Sequence, residues 1–351
     1  MTQHSTAQHS TAQSSTVQPS TTLPGAPPTT DLPAGTVLAR LVRVDRSAYE
    51  VVTADGARRL PSLPPPEQAT VGDWLAVTDD AVVAVLPRSS LLVRGASSGH
   101  SRSQPLAANV DAVLICASLV AHLPVRRIER LLTLAWESGA TPVVVLTKAD
   151  LHPDPDAVVE ALRPHAPGCE VVTVSAATGD VSSLLPYAGP GSTLVLLGAS
   201  GAGKSTVVNA LAGTAVMATA DVRDVDGKGR HTTTHRELVA LPSGAVVIDT
   251  PGLRGVALAG TEEGLSKAFS DVEGLAAACR FADCGHAGEP GCAVQASIDA
   301  GDLTAERMDS WRRLQRELAW QARRNDARLQ AEEKAKWRAV HKARRGQVWR
   351  P

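Results

Sequence analysis

Apolar and polar positions change period several times along the chain. From 36 to 86 they come in short alternating runs. Residues 36–44 and 49–54 read as strands, with Asp55-Gly56 as a hairpin turn. After a proline-rich loop at 61–66, residues 71–77 and 81–86 read as two more. About seventy residues of short strands without a helical period predict a small OB-like β-barrel. Residues 88–108 read as a polar linker. From 110 strands and helices alternate: strands at 110–119, 142–146, 170–174 and 194–198, with helices at 125–138, 156–163 and 206–211. Two further strands follow at 237–241 and 245–248. This alternation predicts a mostly parallel α/β sheet covered on both faces, with ligand loops beyond the carboxyl ends of its strands. A long helix is expected over 305–338, where Trp311, Leu314, Leu318 and Trp320 recur near helical spacing. Residues 1–33 are rich in Ser, Thr, Gln and Pro and contain a near-repeat, 3–8 and 8–13; they are expected to be disordered.

Composition narrows this picture. The chain of 351 residues is 43% hydrophobic and 20% charged, which suits a globular protein of several domains. No apolar run approaches the roughly 20 residues of a membrane span. The start of the chain lacks a basic segment followed by an apolar core, so a cytoplasmic protein is expected. The net charge of −1 hides an asymmetry. Residues 307–351 hold fourteen Lys/Arg against five Asp/Glu, so the rest carries −10. A basic tail on an acidic body predicts an anionic partner for the tail.

The sharpest motif is Gly198-Ala199-Ser200-Gly201-Ala202-Gly203-Lys204-Ser205-Thr206, an apolar strand running into a glycine-rich loop that opens a helix. This is P-loop spacing. Its glycines let backbone N–H groups converge on phosphate oxygens, at the positive end of a helix. Lys204 can reach the β- and γ-phosphates, and the Ser205 hydroxyl can sit on Mg²⁺. Upstream, Thr147-Lys148-Ala149-Asp150 follows a strand; a carboxylate at Asp150 matches the paired N–H donors of guanine. Lys148 would lie along the base or brace the P-loop. Ser175-Ala176 follows the next strand, and the Ala176 N–H can meet guanine O6. Downstream, Asp249-Thr250-Pro251-Gly252 ends a strand. Asp249 can hold Mg²⁺ through water, and the Gly252 N–H can meet the γ-phosphate. Between lies a Gly- and Thr-rich loop, 227–235, in which Thr233 or Thr234 would complete the Mg²⁺ shell.

The five cysteines include a cluster, Cys279, Cys284 and Cys292, with His286 inside it. Three thiols and an imidazole without a carboxylate suit one closed, structural Zn²⁺ site.

Taken in order, these motifs resemble a circularly permuted GTPase, because base recognition precedes the P-loop. With a barrel before and a cysteine cluster after, the chain resembles the RsgA (YjeQ) family of GTPases that depend on the small ribosomal subunit. The segments 126–130, 229–234 and 279–286 carry most of that resemblance. It implies a GTPase that hydrolyses GTP to GDP and phosphate, stimulated by the small (30S) subunit. It further implies a role late in subunit maturation and contact with 16S rRNA. The expected division is a tail to 33, an OB-like barrel and linker at 34–105, a permuted GTPase domain at 106–260, and a zinc-binding helical module with a basic tail at 261–351. A monomer is expected, since no heptad seam is present.

Two positions depart from the pattern. Thr147 stands where an Asn is usual, which predicts weaker guanine affinity with unchanged base choice. Leu253 stands where Ras-like GTPases place a water-orienting Gln. His231 in the Thr-rich loop is the catalytic candidate for that task, beside a plain reading as a loop histidine. Two other functions use the same P-loop: an ATP-dependent enzyme, and an RNA-binding module that holds nucleotide without turnover.

Overall fold

The computed structural model describes residues 23–45, 47–63, 68–95, 104–120, 122–217, 236–249 and 262–325. Five antiparallel strands come first: β1 (Val37–Val44), β2 (Ala48–Thr53), β3 (Gly56–Pro61), β4 (Trp74–Val77) and β5 (Val82–Val85). They neighbour one another in the order β3-β2-β1-β4-β5. No ladder joins β3 to β5 among the described residues. Arg58 of β3 instead reaches Asp79 beside β4 at 2.9 Å. Alternate residues (Leu41, Val51, Leu60, Leu75 and Val77) fill the interior, as the period of two requires.

The stretch expected to be a polar linker is not one. Leu91–Arg94 (β6) and Gln104–Ala108 (β7) form a two-stranded antiparallel sheet. Leu92, Leu106 and Ala107 are buried in the core of the α/β body that follows. The arginines and serines around them masked a short apolar signal.

That body is built on β8 (Ala112–Ser118), β9 (Thr141–Thr147), β10 (Glu170–Val174), β11 (Thr193–Gly198), β12 (Glu237–Ala240) and β13 (Val246–Asp249). Their order is β10-β9-β8-β11-β13-β12, parallel except for β12. A pair between Arg43 and Glu237 continues the sheet into the N-terminal strands. The strands read as near-continuous apolar runs because both faces are covered. Val113, Ile115, Val144, Leu146, Val195 and Leu197 point to one face. There lie α1 (Val125–Ser138) and α2 (Pro155–Leu162). Leu114, Cys116, Val143, Val145, Leu194 and Leu196 point to the other, against α3 (Lys204–Ala212).

The C-terminal helices are α4 (Glu262–Ala268), α5 (Ser270–Ala277), α6 (Ala293–Ala300) and α7 (Ala305–Asn325). Leu265, Phe269, Val272, Trp311, Leu314 and Leu318 join the same core as α1, so these helices dock on the α/β body. The continuation of the last helix to 338, the tail before residue 23 and the loop 227–235 lie outside the described residues.

Candidate nucleotide site and metal centre

The motifs gather at one edge of the sheet because their strands are parallel and adjacent. β11 delivers the P-loop and α3 begins at Lys204. The two outer glycines of the loop are there for space. A Cβ on Gly198 would sit 2.3 Å from the Cys116 carbonyl oxygen. Gly203 has φ +79°, and a Cβ there would press on the Thr147 side chain at 3.2 Å. Ser200 and Gly201 stand exposed at the tip, Ala202 is buried, and Ser205 and Thr206 are half-buried on the first turn of α3.

Lys204 is folded onto its own loop, donating to the carbonyls of Ala199 at 2.7 Å and Gly198 at 3.2 Å. Burial pushes its pKa down, and the Arg127 charge adds to that; Cys116 and Asp249 pull the other way. β13 runs parallel beside β11, with Ile248 opposite Val195, so its last residue, Asp249, lies on the Lys204 side of the loop. Arg127 and Lys148 also line a cavity of about 270 Å³ between the P-loop, the end of β8 and α1. Among the described residues, Lys204, Arg127 and Lys148 set positive charge around the loop against the Asp249 carboxylate.

The residues expected to meet the base come from the ends of β9 and β10. Lys148 takes a left-handed conformation (φ +60°), which turns the chain sharply and leaves Asp150 exposed on a short 3-10 turn. The Asp150 N–H donates to Ser175 Oγ at 3.1 Å, tying together the loops that follow β9 and β10. Ser175 does not cap the turn that Ala176 opens; its hydroxyl serves Asp150 instead. Thr147 is buried beneath the P-loop. His231, Thr233, Thr234, Gly252 and Leu253 lie outside the described residues.

The cysteine cluster forms as its donors suggest. His286 Nδ1 lies 3.5 Å from Cys279 Sγ and 3.6 Å from Cys292 Sγ, and those two sulfurs are 3.9 Å apart. With the bond lengths of tetrahedral zinc, N···S and S···S edges come to roughly 3.5 and 3.8 Å. Cys284 completes the group, all four ligand atoms lying within 4.8 Å of one another. His286 packs edge-on against buried Trp311 of α7, which fixes the ring. The four residues can hold a metal ion.

A network of buried ion pairs fastens the C-terminal helices to the α/β body. Arg307 of α7 is 2% exposed and bonds Glu129 of α1 at 2.9 Å and Asp271 of α5 at 2.8 Å. It also donates to the Ala268 carbonyl and lies over the Phe269 ring. His165 shares Glu129 at 2.8 Å. Nearby, Arg130 pairs with Glu317 through two bonds. No local motif marks such a network, because its side-chain pairs are 36 to 187 residues apart.

A P-loop at the carboxyl edge of a parallel sheet, with the loops after β9 and β10 beside it but earlier in the chain, has the arrangement expected of a nucleotide-binding domain of permuted order. The RsgA GTPase family profile matches residues 85–259. The chain is 48% identical to the Streptomyces avermitilis protein named small ribosomal subunit biogenesis GTPase RsgA, over 89% of this chain and 90% of that one. It is 49% identical to the Streptomyces coelicolor protein of the same name, over 85% of each. Its fold is similar to that of YjeQ from Thermotoga maritima, with a TM-score of 0.59 and 24% identity over 81% of this chain and 99% of that one. It is equally similar to YloQ, described as a circularly permuted GTPase, with a TM-score of 0.58 and 23% identity over 82% and 96%. The chain belongs to the RsgA family of small ribosomal subunit biogenesis GTPases, and is a GTP hydrolase.

Proposed function

We propose that this chain binds the small ribosomal subunit late in its maturation, contacts 16S rRNA, and hydrolyses GTP to GDP and phosphate in response. The observation that carries the catalytic half is the convergence of Lys204, Asp249 and the Asp150–Ser175 pair on one sheet edge. Asp150 accepts two hydrogen bonds from guanine, and the Ala176 N–H meets O6. The P-loop N–H groups, from Ala199 to Lys204, hold the phosphates. Lys204 exchanges its loop carbonyls for phosphate oxygens and offsets charge on the transferring group. Ser205 and Asp249, with Thr233 or Thr234, hold Mg²⁺, which neutralises phosphate charge when bound. Gly252 meets the γ-phosphate, and His231 orients water in place of the missing Gln.

Four modules follow from this reading: a tail to 33, a barrel and connecting segment at 34–105 whose β6–β7 pair packs into the α/β core, a GTPase domain at 106–260 and a metal-bound helical module from 261. The RNA contact is assigned to that last module, where Arg313, Arg316 and Trp320 share the outer face of α7 at helical spacing. Such a surface binds phosphate backbone and weakens steeply with salt. Among the described residues no helix is long and apolar enough to cross a membrane; the working site is the cytoplasm, and the chain acts as a monomer.

Two experiments bear on this reading. Unlabelled GTP is expected to displace a fluorescent guanine nucleotide while ATP at a hundredfold excess does not; equal displacement favours the ATP-dependent enzyme. The cluster is assigned one Zn²⁺, which cross-links a segment too small to form its own core. Purified protein should contain about one zinc per chain. Cys284→Ser should lose the metal and change the Trp311 emission, because that indole packs on His286. A zinc-free wild-type protein with the same emission would contradict the assignment.

A further inference from the structure

Arg127 is the third residue of α1, half-buried where the first turn of that helix faces the P-loop. It lines the cavity of about 270 Å³ together with Gly198 to Ala202, the first half of the loop. Its neighbours on α1 are paired: Glu129 with Arg307 and Arg130 with Glu317, which fastens the helix to α7. Arg127 itself makes no hydrogen bond or ion pair among the described residues. The first turn of α1 holds no acidic residue, and no carboxylate lines the cavity. A guanidinium partly withdrawn from water without a counter-charge is disfavoured, and an arriving anion relieves that penalty.

The place of the cavity along the loop says which anion. The N–H groups at the start of α3 serve the inner phosphates, and the P-loop lysine serves the β- and γ-phosphates. The Lys204 ammonium lies back against the Gly198 and Ala199 carbonyls, and both of those residues line the cavity with Arg127. We propose that Arg127 is a second cation for the γ-phosphate, through which the site favours GTP over GDP. This rests on the nucleotide-site reading above. Burial and the Arg127 charge both depress the Lys204 pKa, as expected of two cations that share a region without their anion. A γ-phosphate placed there pairs with both, whereas GDP ends one phosphate short of Arg127. The ion pairs on the next turn of α1 hold the helix still, so the guanidinium is presented from a rigid element.

The test is calorimetric titration of the full chain, with Mg²⁺ present, using GDP and the non-hydrolysable GTP analogue GMPPNP. Arg127→Met keeps an unbranched stem and removes the charge. It is expected to weaken GMPPNP about tenfold and GDP by less than about twofold. Arg126→Met removes the same charge one residue away, from an exposed position that does not line the cavity. It should leave both affinities within about twofold of wild type. Equal losses of GMPPNP and GDP in Arg127→Met overturn the proposal, because the cation would then serve the inner phosphates or the fold. So does an unchanged GMPPNP affinity, or an Arg126→Met protein with the same selective loss, which would make the effect one of net charge. If Arg127→Met does not fold, Arg127→Gln makes the same comparison with a polar side chain. Wild-type protein that binds neither nucleotide would instead overturn the nucleotide-site reading itself.

Discussion

Lys204→Ala is expected to lower kcat/KM for GTP about 1000-fold, with both a weaker KM and a slower turnover. The size follows from what one preorganised donor is worth to a developing anionic oxygen in a water-poor site. Lys204 is anchored at the first residue of α3, and its ammonium already reaches the loop carbonyls of Gly198 and Ala199. It has only to exchange those acceptors for phosphate oxygens, so little reorganisation opposes the step. The folded protein should tolerate the change. Burial depresses the Lys204 pKa, which means that the charged form is disfavoured in the folded state, and alanine relieves that cost. Steady-state kinetics together with a thermal midpoint check both halves. A large fall in the midpoint of the nucleotide-free protein would show that Lys204 supports the fold, not the phosphates. Lys204→Arg should not rescue turnover, since a planar guanidinium cannot occupy the place of a compact ammonium.

Arg307→Met should destabilise the protein by about 4 kcal/mol and lower its thermal midpoint by about 10 °C. Glu129 is 1% exposed, and its Oε2 has no hydrogen-bond partner among the described residues. Loss of Arg307 would leave Oε1 with His165 alone and take from Asp271 the arginine that bonds both of its oxygens. The penalty is that of a stranded charge, so it should be partly relieved by neutralising that charge. Arg307→Met with Glu129→Gln is expected to recover about half of the loss. Additive losses in this double-mutant cycle would mean that the pair contributes nothing beyond packing. The network spans α1, α5 and α7, so the single variant should also loosen the metal module from the GTPase body. Hydrogen exchange along α7 would report that.

How far the sequence carried this account depends on the reach of each interaction. The permuted GTPase class and the grouping of the cysteine cluster were legible because their signals are local: each is a fixed spacing of residue types within a few positions. The 125–138 and 170–174 elements match the sequence pattern to the residue, since α1 carries a strong helical period and β10 a compact apolar run. The β6–β7 sheet was not, because Arg94 and a run of serines and glycines hid the apolar triplet at 91–93. Arg307 read as one more arginine of a basic helix, and only the fold brings it to Glu129. The Thr147 hydroxyl donates to the Ala202 carbonyl of a loop 55 residues later, a contact no local spacing announces. Contacts across that distance in sequence leave no periodicity to detect.

The central claim is that nucleotide hydrolysis answers to the ribosomal subunit. GTP turnover by the purified chain, with and without purified small subunits and with Lys204→Ala as the inactive reference, tests it most directly. The account predicts slow turnover alone, because Leu253 cannot orient water, and a rise of at least about tenfold with small subunits that large subunits do not reproduce. Turnover that is equally fast with and without small subunits would contradict it.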